Sequence, residues 1–592
     1  MHLMSCRVKK GKPCRREMGR LMFKLGWPMM VIWLGTVLLQ GATASQAEAG
    51  KKQAASQTNP PVVLQPPPRR PANLKPGEDL FNTNRGVLML RLVLEKSAMD
   101  SLRREPRNYV RAQLIEGQTL YRDVAVHLKG AAGSFRGVDD KPALTVSFDR
   151  FTRNQKFYGL SKIHLNNSVQ DNSYMAEYIC GEMFRAADVP APRVAHALVE
   201  LNGRRLGLYV LKEGFTKEFL SLYFSDVSGN LYDGGFVKEI TEPLERDSGE
   251  GPDNHADLKA LVAAAQEKDL DQRWARLCHV LDMERFIAYM AIENMTWDWD
   301  GYPMNRNNYR IYHNPTTGRM VFLPHGTDQM FSQPEGPLIS PMQGMVAVAV
   351  MRTGEGRRLY RQQYYDLFKR VYRATELTNQ LMQLELRLKA SLGKEHADLY
   401  REIRGPARDL RQRIVARAQS IERQLKELPA STIKFEKGVA QVRNWRRQEE
   451  APQARMEQGP DAAGAQTLLI AAKDPVTASW RARVTLPAGQ YRFCAQVKTG
   501  DLKPGRTGAS QGAGLRVSGD PRHASAYTTH APNGKTLVCP LEVTAPFEEL
   551  ELICELHNAA GEVRFGLDSL RFEKNDASEK LPGKTEAPKP KR

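Results

Sequence analysis

The pattern of apolar and polar residues between positions 86 and 213 predicts a β-rich region with one internal helix. Five segments there alternate with the period of a strand: 86–94, 122–130, 143–148, 194–201 and 204–213. An Asn-Gly pair joins the last two, which is the turn chemistry of a β-hairpin. Apolar residues between 172 and 187 instead recur at helical spacing, and Asp171 is placed to cap that helix.

Helical periodicity dominates the next 200 residues, with one β-hairpin inside it. Residues 281–296, LDMERFIAYMAIENMT, predict an amphipathic helix that Asp282 caps and that leads directly into the sequence WDWDGYPMNRNN. YRIY and MVFLP follow as two short strands around the turn sequence NPTTG. Residues 357–428 are helical and rich in arginine, and we expect these arginines on solvated helix faces.

Carboxylate and amide side chains surround this hairpin. Two aspartates and three asparagines precede it and another aspartate follows it: Asp298, Asp300, Asn305, Asn307, Asn308 and Asp328. Because a hairpin brings its ends together, Asp300, Asn305 and Asp328 could converge on one Mg²⁺, which needs only one or two carboxylates beside phosphate oxygens. Asp300 and Asn305 have the D-x-x-x-x-N spacing of the protein-kinase catalytic loop. The same residue types also favour ordinary turns, so the spacing alone leaves both interpretations open.

A glycine-bearing loop, KGAAGSFRGVDDK, separates two of the predicted strands. Gly130, Gly133 and Ser134 could let its backbone approach the phosphates of a nucleotide. Lys141 at its end is placed to reach phosphate oxygens, although turn glycines and a solvated lysine would give the same letters. Glu213 lies where the β-rich region connects to the helical one and is a further candidate nucleotide contact. Either Glu177 or Glu182 of the predicted helix could pair with a strand lysine, and solvated surface charges are the alternative.

The distribution of charge and of apolar residues indicates an exported protein and does not indicate a nucleic-acid partner. The formal net charge of the 592 residues is +19, but about half of the excess lies in the first 24 and last nineteen residues, so nucleic acid is not indicated as a partner. Residues 25–39 form an apolar run behind a basic start, and Ala42-Thr43-Ala44 offers a cleavage site, as in a secretory signal. An uncleaved membrane anchor is the alternative. Either one implies an exported protein, in the periplasm, the cell envelope or the medium.

The C-terminal quarter predicts a separate domain. Its short alternating strands with Gly, Pro and Asn turns indicate an antiparallel β-sandwich, similar in pattern only to jelly-roll carbohydrate-binding modules. Trp480, Tyr491 and Tyr527 could stack on sugar rings there or lie in the core. Seven cysteines show no metal-binding spacing, and either one disulfide among the three C-terminal ones or buried free thiols would fit.

Several segments between residues 80 and 430 resemble the spore coat protein CotH family: HLKG, GSFRG, KPALTVSFDRF, LNNSVQDNS, VPAPRVAHALVELNGRRLGLYVLKEGF and WDWDGYPMNRNNYRIYHNPTTGRMVFLPHGTDQMF. The resemblance implies an atypical protein-kinase-like fold that uses ATP and a divalent metal. It implies that Lys141 contacts an ATP phosphate, that Asp300 is the catalytic aspartate, and that Asn305 and Asp328 hold the metal. Many members carry P-W-D-x-D near the last position, and here Gly326 replaces the first of those aspartates.

These observations predict an α+β chain with an atypical bilobal protein-kinase-like domain followed by a C-terminal antiparallel β-sandwich. The expected segments are a signal peptide or anchor (1–44), a Pro-rich linker (45–78), the kinase-like domain (79–430), the sandwich (431–575) and a disordered Lys/Pro tail (576–592). The expected function is transfer of the ATP γ-phosphate, with Mg²⁺ or Mn²⁺, to Ser or Thr of secreted or envelope proteins. The alternative is a non-catalytic envelope scaffold with a glycan-binding sandwich.

Overall fold

A computed structural model describes residues 64–71, 73–82, 85–426, 432–447, 453–505, 510–518 and 526–574, without the side chains of residues 544 and 545. The expected signal or anchor, much of the linker and the tail lie outside these residues. Within the described ranges, no helix is long and apolar enough to cross a membrane.

The first folded part is a closed barrel of seven strands, with one helix, α1 (Lys96–Arg104), after the first strand. The strands are β1 (Leu88–Val93), β2 (Val110–Glu116), β3 (Thr119–Lys129), β4 (Ala143–Ser147), β5 (Lys162–Asn166), β6 (Val194–Leu201) and β7 (Arg204–Glu213), paired in the order β1-β2-β3-β4-β5-β7-β6. The five predicted strand segments are confirmed. The parallel pairing of β1 with β6 closes the barrel, and it joins segments about a hundred residues apart that no local pattern connects.

Helix α2 (Ala176–Ala186) connects β5 to β6 and packs between the barrel and the helical part. The N-cap position is Met175, so the prediction of Asp171 as the N-cap is wrong. The carboxylate of Asp171 nevertheless accepts the backbone N–H groups of Met175 and Ala176 at 3.0 and 2.9 Å. The helix begins about four residues later than the periodicity indicates, since the same carboxylate also accepts the N–H of Ser173 and holds a turn there.

The helical part contains a small four-stranded sheet, ordered β11-β10-β8-β9, among nine helices of the described chain. Its elements are α3 (Lys217–Leu220), β8 (Leu231–Asp233), β9 (Glu245–Ser248), α4 (Ala256–Gln266), α5 (Leu270–Val280), α6 (Met283–Thr296), α7 (Tyr302–Asn305), β10 (Tyr309–Asn314), β11 (Arg319–Pro324), α8 (Met345–Arg352), α9 (Gly354–Arg370), α10 (Ala374–Leu392) and α11 (Ala397–Lys426). The predicted hairpin is confirmed, with Tyr309 opposite Pro324 at its open end. Asp282 caps α6 by accepting the N–H of Arg285.

Two arginines of the arginine-rich helices are buried, so the expectation of solvated faces is wrong for them. The side chain of Arg417 is fully buried, and Arg357 is 7% exposed. Arg417 donates to the backbone carbonyls of Asn294 at 2.8 Å and Met295 at 3.1 Å, at the end of α6. It also donates to the carbonyl of Pro334 at 3.0 Å. A tertiary network of oxygen acceptors thus replaces water around this guanidinium.

The C-terminal part, which we call the β domain, folds around its own apolar core. Its strands are β12 (Val439–Gln441), β13 (Arg446–Arg447), β14 (Arg455–Pro460), β15 (Gln466–Thr499), β16 (Lys503–Pro504), β17 (Gly512–Val517), β18 (Ala526–Thr528), β19 (Ala531–Gly566) and β20 (Arg571–Lys574). They form one hydrogen-bonded sheet of nine strands, and the predicted antiparallel pairing is confirmed. β15 and β19 are far longer than the short strands expected, because each continues through several register shifts.

The aromatic residues considered for sugar stacking have other roles in this domain. Trp480 and Tyr491 lie in its core, 6% and 2% exposed. Tyr527 donates its hydroxyl to the carboxylate of Glu555. The described cysteines, including all three of this domain, have free thiols, in line with the second of the two alternatives.

Candidate functional site

Asp300 lies in the bend between α6 and α7, where two asparagines hold its carboxylate. Nδ2 of Asn305 donates to Oδ1 at 2.7 Å, and Nδ2 of Asn308 donates to Oδ2 at 3.0 Å. Helix α7, with Pro303 in its first turn, makes one turn that returns Asn305 to Asp300 and thereby explains the five-residue spacing. Because Asn305 uses its amide nitrogen for this bond, its carbonyl oxygen keeps its lone pairs for a cation.

Asn308 also connects Asp300 to the loop that follows β11. Its backbone carbonyl accepts the N–H of His325 at 3.0 Å, and its side-chain oxygen lies 2.5 Å from the place that a Cβ would take at Gly326. Gly326 has φ +58°, in the left-handed region that glycine tolerates best. A side chain at this position would collide with Asn308, which explains why an aspartate does not fit here as this chain is built.

Asp328 lies two residues further on and faces α2. Burial and the negative charge of Glu177 raise its pKa to about 7. Burial, and then the charges of both Asp300 and Asp328, raise the pKa of Asp298 well above its ordinary value. Asp298 therefore lies within electrostatic range of both Asp300 and Asp328, and the convergence of these two on one cation stays a prediction. Asp298 itself is 2% exposed, so it is not accessible to a ligand.

The barrel places a buried ion pair opposite Asp328. Lys212 on β7 donates to Glu177 on α2 at 2.7 Å, and the two side chains are 4% and 3% exposed. Asn166 on β5 bonds the other oxygen of Glu177, and Lys129 at the end of β3 donates to Asn166. Burial and the charge of Lys212 lower the pKa of Lys129 to about 8. Burial by itself would raise the pKa of Glu177, but the two lysines outweigh it and hold that pKa below its usual range.

Burial is the largest cause of both the lowered pKa of Lys129 and the raised pKa of Asp328. A negative group beside Lys129 and a positive group beside Asp328 would favour the charged form of each. A nucleotide phosphate together with a divalent cation would supply both. In protein kinases an ion pair likewise joins a lysine of the third strand to a glutamate of helix αC. In this protein the lysine of the pair is Lys212, on β7, the strand that leads into the helical part.

The oxygen donors near the hairpin are of the type that binds a cation whose remaining ligands come from phosphate. Among the residues that the structure describes, no group of three or more His, Cys, Asp or Glu is arranged to hold a metal. Mg²⁺ and Mn²⁺ accept carboxylate and carbonyl oxygens, and Mg²⁺ commonly keeps waters and takes its remaining ligands from a nucleotide. A carboxylate such as Asp328 and an amide oxygen such as Asn305 are the donor types that such a cation takes, and their binding of a metal stays a prediction.

Lys141 makes its contacts with two tyrosines. Its ammonium donates to the Tyr174 hydroxyl at 2.7 Å and lies 4.9 and 5.2 Å from the ring centres of Tyr174 and Tyr209. Burial lowers its pKa to about 8. The lysines that interact with Glu177 are Lys129 and Lys212. The phosphate contact that the family resemblance assigns to Lys141 stays a prediction, and none of these described contacts supports it.

The glycine loop is held in place by its own side chains and by the segment before α2. Ser134 Oγ accepts the N–H of Ala131 at 3.0 Å, and Asn167 donates to the carbonyl of Ser134 at 3.1 Å. Gly130 and Gly133 have φ +103° and +84°, conformations that a side chain would strain. The two glycines therefore allow a backbone conformation that other residues would strain. The contact of this loop with a nucleotide stays a prediction.

Glu213 is engaged inside the protein. Its carboxylate is fully buried and accepts a hydrogen bond from Arg193 Nε at 2.9 Å, so its side chain is committed to that ion pair. Sequence reasoning missed Lys129, Lys212 and the double role of Asn308. A signal for Lys212 was available, because the run LGLYVL before it predicts a strand buried on both faces, and a lysine that ends such a strand needs a buried partner.

Comparison with known proteins identifies the family. A sequence model of a protein family, described as CotH kinase protein, matches residues 126–451. The inner spore coat protein H of Bacillus subtilis (strain 168) is 21% identical over 192 residues, which are 30% of this chain and 52% of that protein. The chain thus spans about half the length of this curated relative.

Two solved structures resemble part of the chain. The Helicobacter pylori proinflammatory kinase CtkA covers 50% of this chain and 97% of its own, with 8% identity and a TM-score of 0.24. The carbohydrate-binding module TmCBM61, in complex with beta-1,4-galactotriose, covers 23% of this chain and 91% of its own, with 16% identity and a TM-score of 0.17. Scores this low carry no argument about function. The family model spans more than half of the sequence, and the chain belongs to the CotH kinase protein family.

Proposed function

We propose that the protein is an exported kinase that transfers the γ-phosphate of ATP to Ser or Thr residues of secreted or envelope proteins. One observation carries the proposal: Asp328, which follows the β10–β11 hairpin, lies near a buried ion pair between Lys212 and Glu177. Before the hairpin, Asp298 lies within electrostatic range of both Asp300 and Asp328. Export rests on the signal-like sequence of residues 1–44, and the acceptor class rests on the family.

In the proposed reaction, the residues of the chain position the reactants and neutralise charge. Asp300, fixed by Asn305 and Asn308, orients the acceptor hydroxyl and takes its proton as the oxygen bonds to the γ-phosphorus and ADP leaves. Lys129 and Lys212 balance the charge of the phosphates from the barrel side. Asp328 and Asn305 would hold Mg²⁺ or Mn²⁺, which would supply the remaining positive charge.

Transfer of ³²P from labelled ATP tests the proposal. The purified protein is incubated with Mg²⁺ or Mn²⁺, alone and with a Ser-rich peptide. The Asp300→Ala variant is expected to lose about a hundredfold or more of the wild-type rate, since removing a general base costs about that much. Asp253→Ala removes an exposed aspartate of a surface ion pair and serves as the control that keeps full activity. Equal rates for wild type and Asp300→Ala would remove Asp300 from the mechanism.

A second candidate is a non-catalytic envelope scaffold with a kinase-like domain and a glycan-binding β domain. It is favoured by Gly326, which leaves the loop after the hairpin one carboxylate short of the family pattern. Calorimetric titration with ATP and Mn²⁺ separates the two candidates. Binding that Asp328→Asn abolishes supports the kinase, whereas no binding heat supports the scaffold.

A further inference from the structure

The β domain turns one charged sheet face toward the helical part. Along β19, alternate side chains enter the domain core: Leu550, Leu552, Cys554 and Leu556. The residues between them point the other way: Glu549, Glu551, Ile553 and Glu555. Three of these four are nevertheless buried, with Glu551 at 6% and Glu555 at 0% exposure. An outward face that is both charged and buried must be covered by another part of the protein.

Helices α5 and α9 supply that cover through ion pairs of both polarities. Arg357 on α9 bonds Glu549 with a distance of 3.0 Å between Nε and Oε1. In the opposite sense, Asp271 on α5 accepts from Arg516 on β17 at 2.8 Å and from Arg481 on β15 at 3.2 Å. The helical part thus supplies a base at one point and an acid at another along this interface, which we call the seam. Such complementary pairs fix one register between the two surfaces.

The seam is closest where α9 begins. A Cβ at Gly354 would lie 2.6 Å from the Cβ of Ser518 and 3.2 Å from the Cβ of Glu551. Real carbon atoms do not approach this closely, so no side chain fits at position 354 while the β domain is docked. Thr353 caps α9 just before this glycine, its hydroxyl accepting the N–H of Gly356 at 3.0 Å.

A short path of contacts leads from this point to Asp300. Helix α8 ends one residue before Thr353 and, at its other end, the N–H of Val346 donates to the Tyr302 hydroxyl at 3.0 Å. The N–H of Gln343, just before α8, donates to the carbonyl of Pro303 at 2.7 Å. Tyr302 and Pro303 begin α7, the single turn that carries Asn305 back to Asp300.

We propose that the charged face of the β domain is an intramolecular support for the loop of residues 297–308. Docking at Gly354 fixes α8, and α8 fixes α7 and with it the carboxylate of Asp300. The β domain is then a working part of the kinase unit, and its charged face is not open to a glycan. This inference rests on the proposed function only in calling the loop catalytic.

Hydrogen–deuterium exchange of the full chain without ATP tests this support. Gly354→Ala places a methyl group in the seam without harming α9, since alanine is a good helix residue. Exchange in residues 297–308 and in α8 is expected to become about tenfold faster, because overpacking opens a close contact. Adding Ser518→Gly removes the two nearest opposing atoms, the Oγ and Cβ of Ser518, and is expected to restore most of the wild-type rate. Gly405→Ala in α11, where nothing lies within 4 Å, is the matched control and should change neither segment.

Asp271→Asn perturbs the seam at a distance from Gly354 and should also speed exchange in α8 and α9, by a smaller factor. Loop exchange that Gly354→Ala leaves unchanged would overturn the proposal. So would acceleration throughout the molecule that Ser518→Gly does not reverse. Because exchange is measured without turnover, these outcomes are independent of whether the protein transfers phosphate. If it does, Gly354→Ala should lower kcat and Ser518→Gly should restore it.

Discussion

Substitution of Lys212 by methionine isolates the buried ion pair on which the site depends. The change keeps the length of the side chain and removes its charge, leaving the carboxylate of Glu177 buried beside Asp328. Lys129 still lies nearby, reaching Glu177 through Asn166, and compensates only in part. We expect Lys212→Met to destabilise the protein and to weaken binding of ATP with Mn²⁺.

The magnitude follows from the burial of both partners. The two side chains are 4% and 3% exposed and 2.7 Å apart. Breaking such a pair by removing one member costs about 3–5 kcal/mol, because the other charge stays buried without its partner. Removing both, as in Lys212→Met with Glu177→Met, leaves no stranded charge. The double variant should therefore be more stable than the sum of the single losses indicates, by about 2 kcal/mol.

Urea unfolding near neutral pH measures these free energies, and calorimetry measures nucleotide binding. Lys141→Met is the matched control for the stability measurement, because it removes a lysine that contacts Tyr174 and not Glu177. It should cost about 1–2 kcal/mol, the value of one hydrogen bond with a cation–π contact. Its nucleotide affinity tests the phosphate contact that the family resemblance assigns to Lys141. The reasoning is refuted if Lys212→Met costs less than about 1 kcal/mol, or if its loss adds fully to that of Glu177→Met.

Three further predictions concern the loops around the site. Since the pKa of Asp328 is raised to about 7, Mn²⁺ affinity measured by calorimetry should rise with pH up to about 7 and then level off, while stability of the metal-free protein falls through the same range; a flat affinity profile would contradict this. Arg417→Met strands several buried carbonyls and should cost about 3 kcal/mol in urea unfolding, and a loss below about 1 kcal/mol would show that water replaces the guanidinium. Gly326→Asp restores the aspartate of the family pattern, but it strains a residue with positive φ and displaces Asn308 from Asp300. The melting temperature and the rate of ³²P transfer should therefore both fall, and a gain in activity would argue against this packing.

The parts of the fold that depend on local pattern follow from the sequence. Helix α6 and the β10–β11 hairpin are predicted within a few residues, because their periodicity, cap and turn are written in adjacent positions. The hydrogen bonds that Asp171 accepts at the start of α2 are local in the same way.

The remaining features depend on contacts between distant segments. Which lysine meets the glutamate of α2 is set by the register of strands around a closed barrel. The apolar run before Lys212 indicates that this lysine needs a buried partner, and it does not indicate which carboxylate that partner is. Arg357 and Arg417 lie in segments with the composition of solvated helices, and only docking of the β domain and of α6 buries them. Amphipathic pattern shows that a face is polar, and it does not show whether water or another part of the protein covers that face.

The most direct test of the central claim is an anomalous-diffraction structure of crystals grown with Mn²⁺ and a non-hydrolysable ATP analogue. We predict one manganese peak bound by Asp328 and Asn305, with the terminal phosphate between Asp300 and the ammonium groups of Lys129 and Lys212. A nucleotide bound elsewhere, or a well-ordered nucleotide with no manganese at Asp328, would contradict the account.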